Sequence, residues 1–103
     1  MAKTKKKNPT YHEDLIERLK DSEYAVEYLK AALEENDMPK VFLVALKNVA
    51  EARGISQLAR DAHLNRANLY KALSKKGNPE LGSLYAILNA LGLKLSIELK
   101  EAS

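Results

Sequence analysis

Eighteen residues restrict the fold of this chain more than any others: Ser56-Gln57-Leu58-Ala59-Arg60-Asp61-Ala62-His63-Leu64-Asn65-Arg66-Ala67-Asn68-Leu69-Tyr70-Lys71-Ala72-Leu73. Ser56 can cap a helix over Gln57 to Ala62, His63-Leu64 makes a turn, and Asn65 caps a second helix from Arg66 to about Leu73. Two helices of about two turns, joined by three or four residues, have the spacing of a helix-turn-helix rather than of a long antiparallel pair. Such a motif needs a small residue where its helices cross, apolar anchors at the turn exit and in the second helix, and polar side chains outside. Ala59 is the crossing residue, Leu64 the turn-exit anchor and Leu69 the second-helix anchor. Leu58 and Ala62 back the first helix against Phe42 and Leu46.

The rest of the chain supplies a scaffold for that pair. Its 103 residues allow one domain, and 46% hydrophobic content with four Gly and three Pro is enough for a compact core. Residues 1 to 9 lack periodicity and a large apolar side chain, which predicts a flexible basic tail closed by Pro9. Thr10-Tyr11-His12-Glu13 has the form of a capping box and starts a short helix to about Lys20, with Leu15, Ile16 and Leu19 at helical spacing. Asp21-Ser22 caps a second helix through about Glu34, striped by Ala25, Tyr28, Leu29, Ala32 and Leu33. Asp37-Met38-Pro39 starts a third, from Pro39 to Arg53, and Gly54 stops it. Val41, Phe42, Ala45, Leu46, Val49 and Ala50 make it the central core helix. Beyond the loop Ser74-Lys75-Lys76-Gly77-Asn78-Pro79, a last helix carries Leu81, Leu84, Ile87, Leu88 and Leu91 on one face and ends at Gly92.

Then the period changes. Leu93, Leu95, Ile97 and Leu99 alternate with Lys94, Ser96, Glu98 and Lys100, as in a half-buried strand. A lone strand leaves its backbone groups unpaired, and the simplest partner is the same strand of a second copy across a twofold axis. A short amphipathic helix is the other reading of this C-terminus. The predicted architecture is thus all-α: a five-helix domain with an N-terminal helical extension (10–37), a helix-turn-helix core (38–92) and a dimerising strand (93–100).

Charge is unevenly spread. Residues 1 to 8 carry four Lys and no acid; residues 9 to 37 carry three basic against nine acidic side chains, net −6; residues 38 to 103 carry ten against five, net +5. Opposite fields on one small chain suit two partners of opposite charge, a nucleic acid and a basic protein; a solvated helix face is the plainer reading of the acidic part. The Lys run at the N-terminus adds nonspecific phosphate attraction or serves only solubility.

Asn65, Arg66, Asn68, Tyr70 and Lys71 form the outer face of the second helix and its start. In a DNA major groove, Arg pairs bidentately with guanine and Asn with adenine, each pair contributing about 1–3 kcal/mol of discrimination. Gln57 at a helix start, with Lys75, Lys76 and Asn78 in the following loop, suits phosphates and sets register. Tyr11, Tyr24, Tyr28 and Tyr85 read as packing residues, whereas Tyr70 falls on the recognition face.

Ser56 to Leu73 resembles the helix-turn-helix of the lambda Cro and repressor class, also called the Xre family. Val49-Ala50-Glu51-Ala52-Arg53-Gly54-Ile55-Ser56-Gln57-Leu58-Ala59, Asn68-Leu69-Tyr70-Lys71-Ala72-Leu73-Ser74, Gly77-Asn78-Pro79 and Ala90-Leu91-Gly92-Leu93-Lys94-Leu95 together resemble a narrower group, the HigA-like probable addiction-module antidote proteins. That resemblance extends over roughly residues 10 to 99 and implies the lambda-repressor-like fold and an antitoxin of a type II toxin–antitoxin module. Such a protein neutralises a small basic toxin of the RelE/HigB-like superfamily and, as a dimer, binds operator DNA to repress its own operon. A prophage-type transcriptional regulator with no toxin partner is the alternative. Two residues depart from the wider class: His63 stands where Gly is usual in the turn, a position that can require positive φ, and Leu73 stands where many members have Glu.

The residues offer little for catalysis. His12-Glu13-Asp14 is a triplet on a helix surface, where neighbours one and two apart do not face each other. No glycine-rich phosphate loop, His pair at ligand spacing or nucleophile with an evident base is present, which predicts a non-enzyme without cofactor or metal. With no Cys there is no disulfide framework. The longest apolar stretch, Val41 to Leu46, is far short of the roughly 20 residues that span a membrane. Met1 to Asn8 has a basic start with no apolar run behind it, unlike a secretory signal, so a cytoplasmic protein is expected.

Overall fold

The computed structural model describes the backbone over residues 3–34, 38–74 and 76–99, and the side chains from residue 11 onward. These residues form six helices: α1 Lys3–Arg18, α2 Ser22–Glu34, α3 Pro39–Arg53, α4 Ile55–Asp61, α5 Arg66–Ala72 and α6 Leu81–Ala90. The all-α class agrees with the sequence, and a helix forms at each of the six segments read as helical; the count of five falls one short of these, and no strand forms among the described residues.

The N-terminal half departs most from local reading. α1 starts at Lys3, seven residues before the capping-box sequence at Thr10, and runs through Pro9. Extending a helix already nucleated costs far less than starting one, and Lys is a good helix former, so a run without a core anchor can still be helical. Pro9 withdraws one backbone donor from that helix. α1 closes through short i→i+3 bonds, the Lys20 amide donating to the Glu17 carbonyl at 3.2 Å and Asp21 to Arg18 at 3.1 Å. The Asp21 carboxylate then accepts from the Glu23 amide at 3.0 Å, capping α2 as its position predicts.

α3 is the axis of the fold. Met38 is its N-cap and Pro39 its first residue, where the missing donor is not needed; the proposed cap at Asp37 lies outside the described residues. It buries Leu43, Ala45, Leu46, Val49 and Ala50, while α1, α2 and α4 pack on it. Val41, assigned to the core by periodicity, instead borders solvent, 36% exposed. Gly54, at φ 106°, ends α3 and also starts α4, so α4 begins at Ile55 rather than at Gln57 behind a Ser56 cap.

The fully buried side chains Leu46, Leu58, Leu69, Leu73 and Ile87 come from α3, α4, the end of α5 and α6. Each contributes about 1.5–3 kcal/mol relative to exposure. Their burial in one cluster locks the α4–α5 pair to the scaffold. α6 ends as predicted, with Gly92 at φ 78° and the Leu93 amide donating to the Leu88 carbonyl at 2.8 Å. Leu81 differs from prediction: it opens α6 and is 65% exposed.

Residues 93–99 have neither strand nor helix. Within a single chain no described segment offers a ladder, so the alternation from Leu93 to Leu99 cannot become a strand there; Lys100 lies outside the described residues. Ile97 and Leu99 are almost fully exposed. No helix of the described residues is long and apolar enough to cross a membrane.

Candidate nucleic-acid interface

The turn between α4 and α5 is built by backbone geometry alone. The His63 amide donates to the Arg60 carbonyl at 3.1 Å and the Leu64 amide to the Ala59 carbonyl at 2.8 Å, the paired bonds of a Schellman C-cap. The motif places His63 at φ 60°, the positive φ expected at this turn position. Leu64 turns inward against the core, and Ala59 is buried at the crossing of the two helices.

Asn65 follows in extended conformation, and its side-chain oxygen accepts from the Asn68 amide at 2.7 Å. The bond fixes the start of α5 and uses the Asn65 carbonyl oxygen, leaving its NH2 for contact outside. One turn on, Leu69 is completely buried, so the opposite side of α5 faces solvent. Asn65, Arg66, Asn68, Tyr70 and Lys71 are all exposed: Lys71 lies opposite Leu69, Asn68 and Tyr70 on its two flanks, and Asn65 and Arg66 at the helix start. Leu73, the C-cap of α5, is also completely buried and acts as an apolar plug.

On α4 the exposed side chains interact before any ligand arrives. Arg60 donates to the Gln57 side-chain oxygen at 2.7 Å, and the Gln57 NH2 donates to the Asp61 carboxylate at 2.9 Å. Gln57 is the third residue of α4, not its first. For it to reach a phosphate, these exposed bonds to Arg60 and Asp61 must be exchanged.

The loop after α5 is drawn against that helix. The Gly77 amide donates to the Ser74 carbonyl at 2.8 Å, and a Cβ on Gly77 would lie 2.7 Å from the Ala72 carbonyl carbon and 2.8 Å from the Lys71 oxygen. Only Gly permits that approach. Lys76 and Asn78 flank it and are exposed; Lys75 lies outside the described residues. Eight of the nine residues named from the sequence are therefore described and exposed, five of them on α5 or its cap.

Three supporting contacts have no local sequence signal. Arg53 donates to the carbonyls of Ala90 at 3.4 Å and Leu91 at 3.2 Å, setting a positive charge at the C-terminal end of α6. Asn48 donates to the Tyr28 hydroxyl at 2.9 Å, joining α3 to α2. His12 meets Glu51 at 3.3 Å, so one member of the surface triplet ties α1 to α3. Among the described residues no three His, Cys, Asp or Glu side chains gather as a metal site would require.

No solved structure matches the chain. It is 39% identical over 85 residues to an uncharacterized protein of Haemophilus influenzae, a match covering 82% of this chain and 87% of that one. Residues 10–99, spanning α2 to α6, the greater part of α1 and the segment after α6, match the family described as probable addiction module antidote protein. On both grounds the chain belongs to the family of probable addiction module antidote proteins.

Proposed function

We propose that this chain is the antitoxin of a type II toxin–antitoxin module: it neutralises a small basic toxin of the RelE/HigB-like kind and, as a dimer, binds operator DNA to repress its own operon. It works by binding and carries out no catalysis, in the cytoplasm. The antidote family supports the toxin partner. The observation that carries the DNA reading is α5 itself, where Arg66 at the helix start and Asn68 and Lys71 beyond it stand exposed on a helix anchored by the completely buried Leu69. A seven-residue helix held in this way can enter a major groove without rearranging its scaffold. Lys76 and Asn78 then lie along the backbone and set register. Dimerisation through residues 93–99 would pair the exposed Ile97 and Leu99 with their copies and provide the missing ladder.

The test uses the DNA immediately upstream of the gene and the small open reading frame beside it. Wild-type protein should footprint that DNA and relieve the toxicity of the co-expressed neighbour. Arg66→Ala with Asn68→Ala should lose the footprint, with a cost of about 1–3 kcal/mol per lost base contact, and still relieve toxicity. Relief of toxicity with no DNA binding by the wild type would leave a protein-interaction module; a footprint beside a harmless, unbound neighbour would leave a prophage-type regulator.

A further inference from the structure

An open groove of about 560 Å³ runs between α2 and α3, lined by Tyr28, Ala31, Ala32, Val41, Val44 and Ala45. Its walls are almost wholly apolar, and the Tyr28 hydroxyl is already bonded to Asn48. Three alanines on facing helices allow another backbone to come close, as a helix does when it beds into the cleft between two others. The lips differ in charge. On α2, Glu27 lies four residues before Ala31 and Glu34 three after it, while Glu23 lies four before Glu27; helical spacing puts all three in one exposed row beside the groove, with Lys30 between Glu27 and Glu34, so that the row is net negative. Lys40 stands on the α3 lip. Residues 11–34 carry seven acidic side chains against three basic ones, so the approach to this groove is negative.

We propose that the α2–α3 groove is the docking site for an amphipathic helix of the toxin, with Lys or Arg along the edge facing Glu23, Glu27 and Glu34 and its apolar stripe on Ala31, Val41 and Val44. The assignment rests on the antitoxin reading above and adds the surface and chemistry of the contact. The acidic row steers a basic partner and sets the orientation of its helix, while the small apolar floor supplies the buried contact.

The probe is the small basic protein encoded beside this chain's gene, titrated into the full-length chain by calorimetry. Ala31→Arg puts a long cation on an exposed position over the floor and should weaken association by about 30-fold. The double variant Glu27→Lys, Glu34→Lys, at exposed positions, should weaken it by about tenfold and reduce its dependence on salt. Both variants should keep the wild-type circular dichroism and melting temperature. Wild-type binding unchanged by either variant would overturn the groove and leave the antitoxin reading standing. Failure of the wild type to bind the probe would overturn that reading itself. If Ala31→Arg instead turns a free dimer into a monomer by sedimentation, the occupant is a second copy and the proposal is wrong.

Discussion

His63 and Gly77 show opposite ways in which one residue holds the backbone at the two ends of α5. His63 adopts φ 60°, where an L side chain costs about 1–2 kcal/mol, because two backbone bonds of the α4 C-cap demand it. His63→Gly should therefore raise stability by up to about 1 kcal/mol, after the larger entropy of the unfolded Gly chain is deducted, and His63→Val should lower it; thermal unfolding of the two variants reads the sign. Gly77 is needed for space rather than for φ. Gly77→Ala would press a methyl group against the Lys71 and Ala72 carbonyls, backbone atoms that cannot swing aside. It should cost about 1–3 kcal/mol in a melt and, by moving Lys76 and Asn78, weaken binding to the upstream DNA. The strained turn at His63 is legible from sequence once the helix ends are placed. The close approach at Gly77 is not, since it depends on where the loop folds back.

At the scale of elements, α5 has the clearest division of labour. Leu69 and Leu73 anchor it, and Asn65 both caps it and stands on its exposed start. Asn65→Ala should destabilise the fold by about 1 kcal/mol. Asn65→Asp keeps the capping oxygen and suits the helix N-terminus, so stability should hold while affinity for the upstream DNA falls, because a carboxylate then faces phosphates. Equal loss of stability in both variants would show that the carboxylate cannot replace the amide as the cap. The ends of α2, α3 and α5 fall close to their sequence positions because Asp21, Pro39, Gly54 and Asn65 act within a few residues of themselves. α1 and α4 do not. α1 propagates past a start signal that nothing obliges it to use, and α4 begins two residues early because Gly54 serves two helices at once.

For the whole molecule, the exposed tail of apolar residues is the feature with the largest consequence. Ile97 and Leu99 are 98% and 96% exposed, and burying both in a dimer would contribute about 1.5–3 kcal/mol per side chain. Ile97→Asp with Leu99→Asp should convert a dimer to a monomer by sedimentation equilibrium, leave the helical signal unchanged and reduce DNA affinity, since one half-site is then bound alone. A wild-type chain that sediments as a monomer at all accessible concentrations would refute the paired strand. By itself the sequence determined the all-helical class, the positions of most helix ends, the short pair with its tight turn, and the outer face of α5. These follow from caps, periodicity and turn chemistry, whose interactions reach only a few residues along the chain. Tertiary structure alone decided that Arg53 would close α6 from 37 residues away, that His12 would reach Glu51 across 39, and that α2 and α3 would leave an apolar groove beneath an acidic lip. Such contacts depend on how helices cross, and crossing geometry comes from the packing of whole faces, which no local pattern encodes.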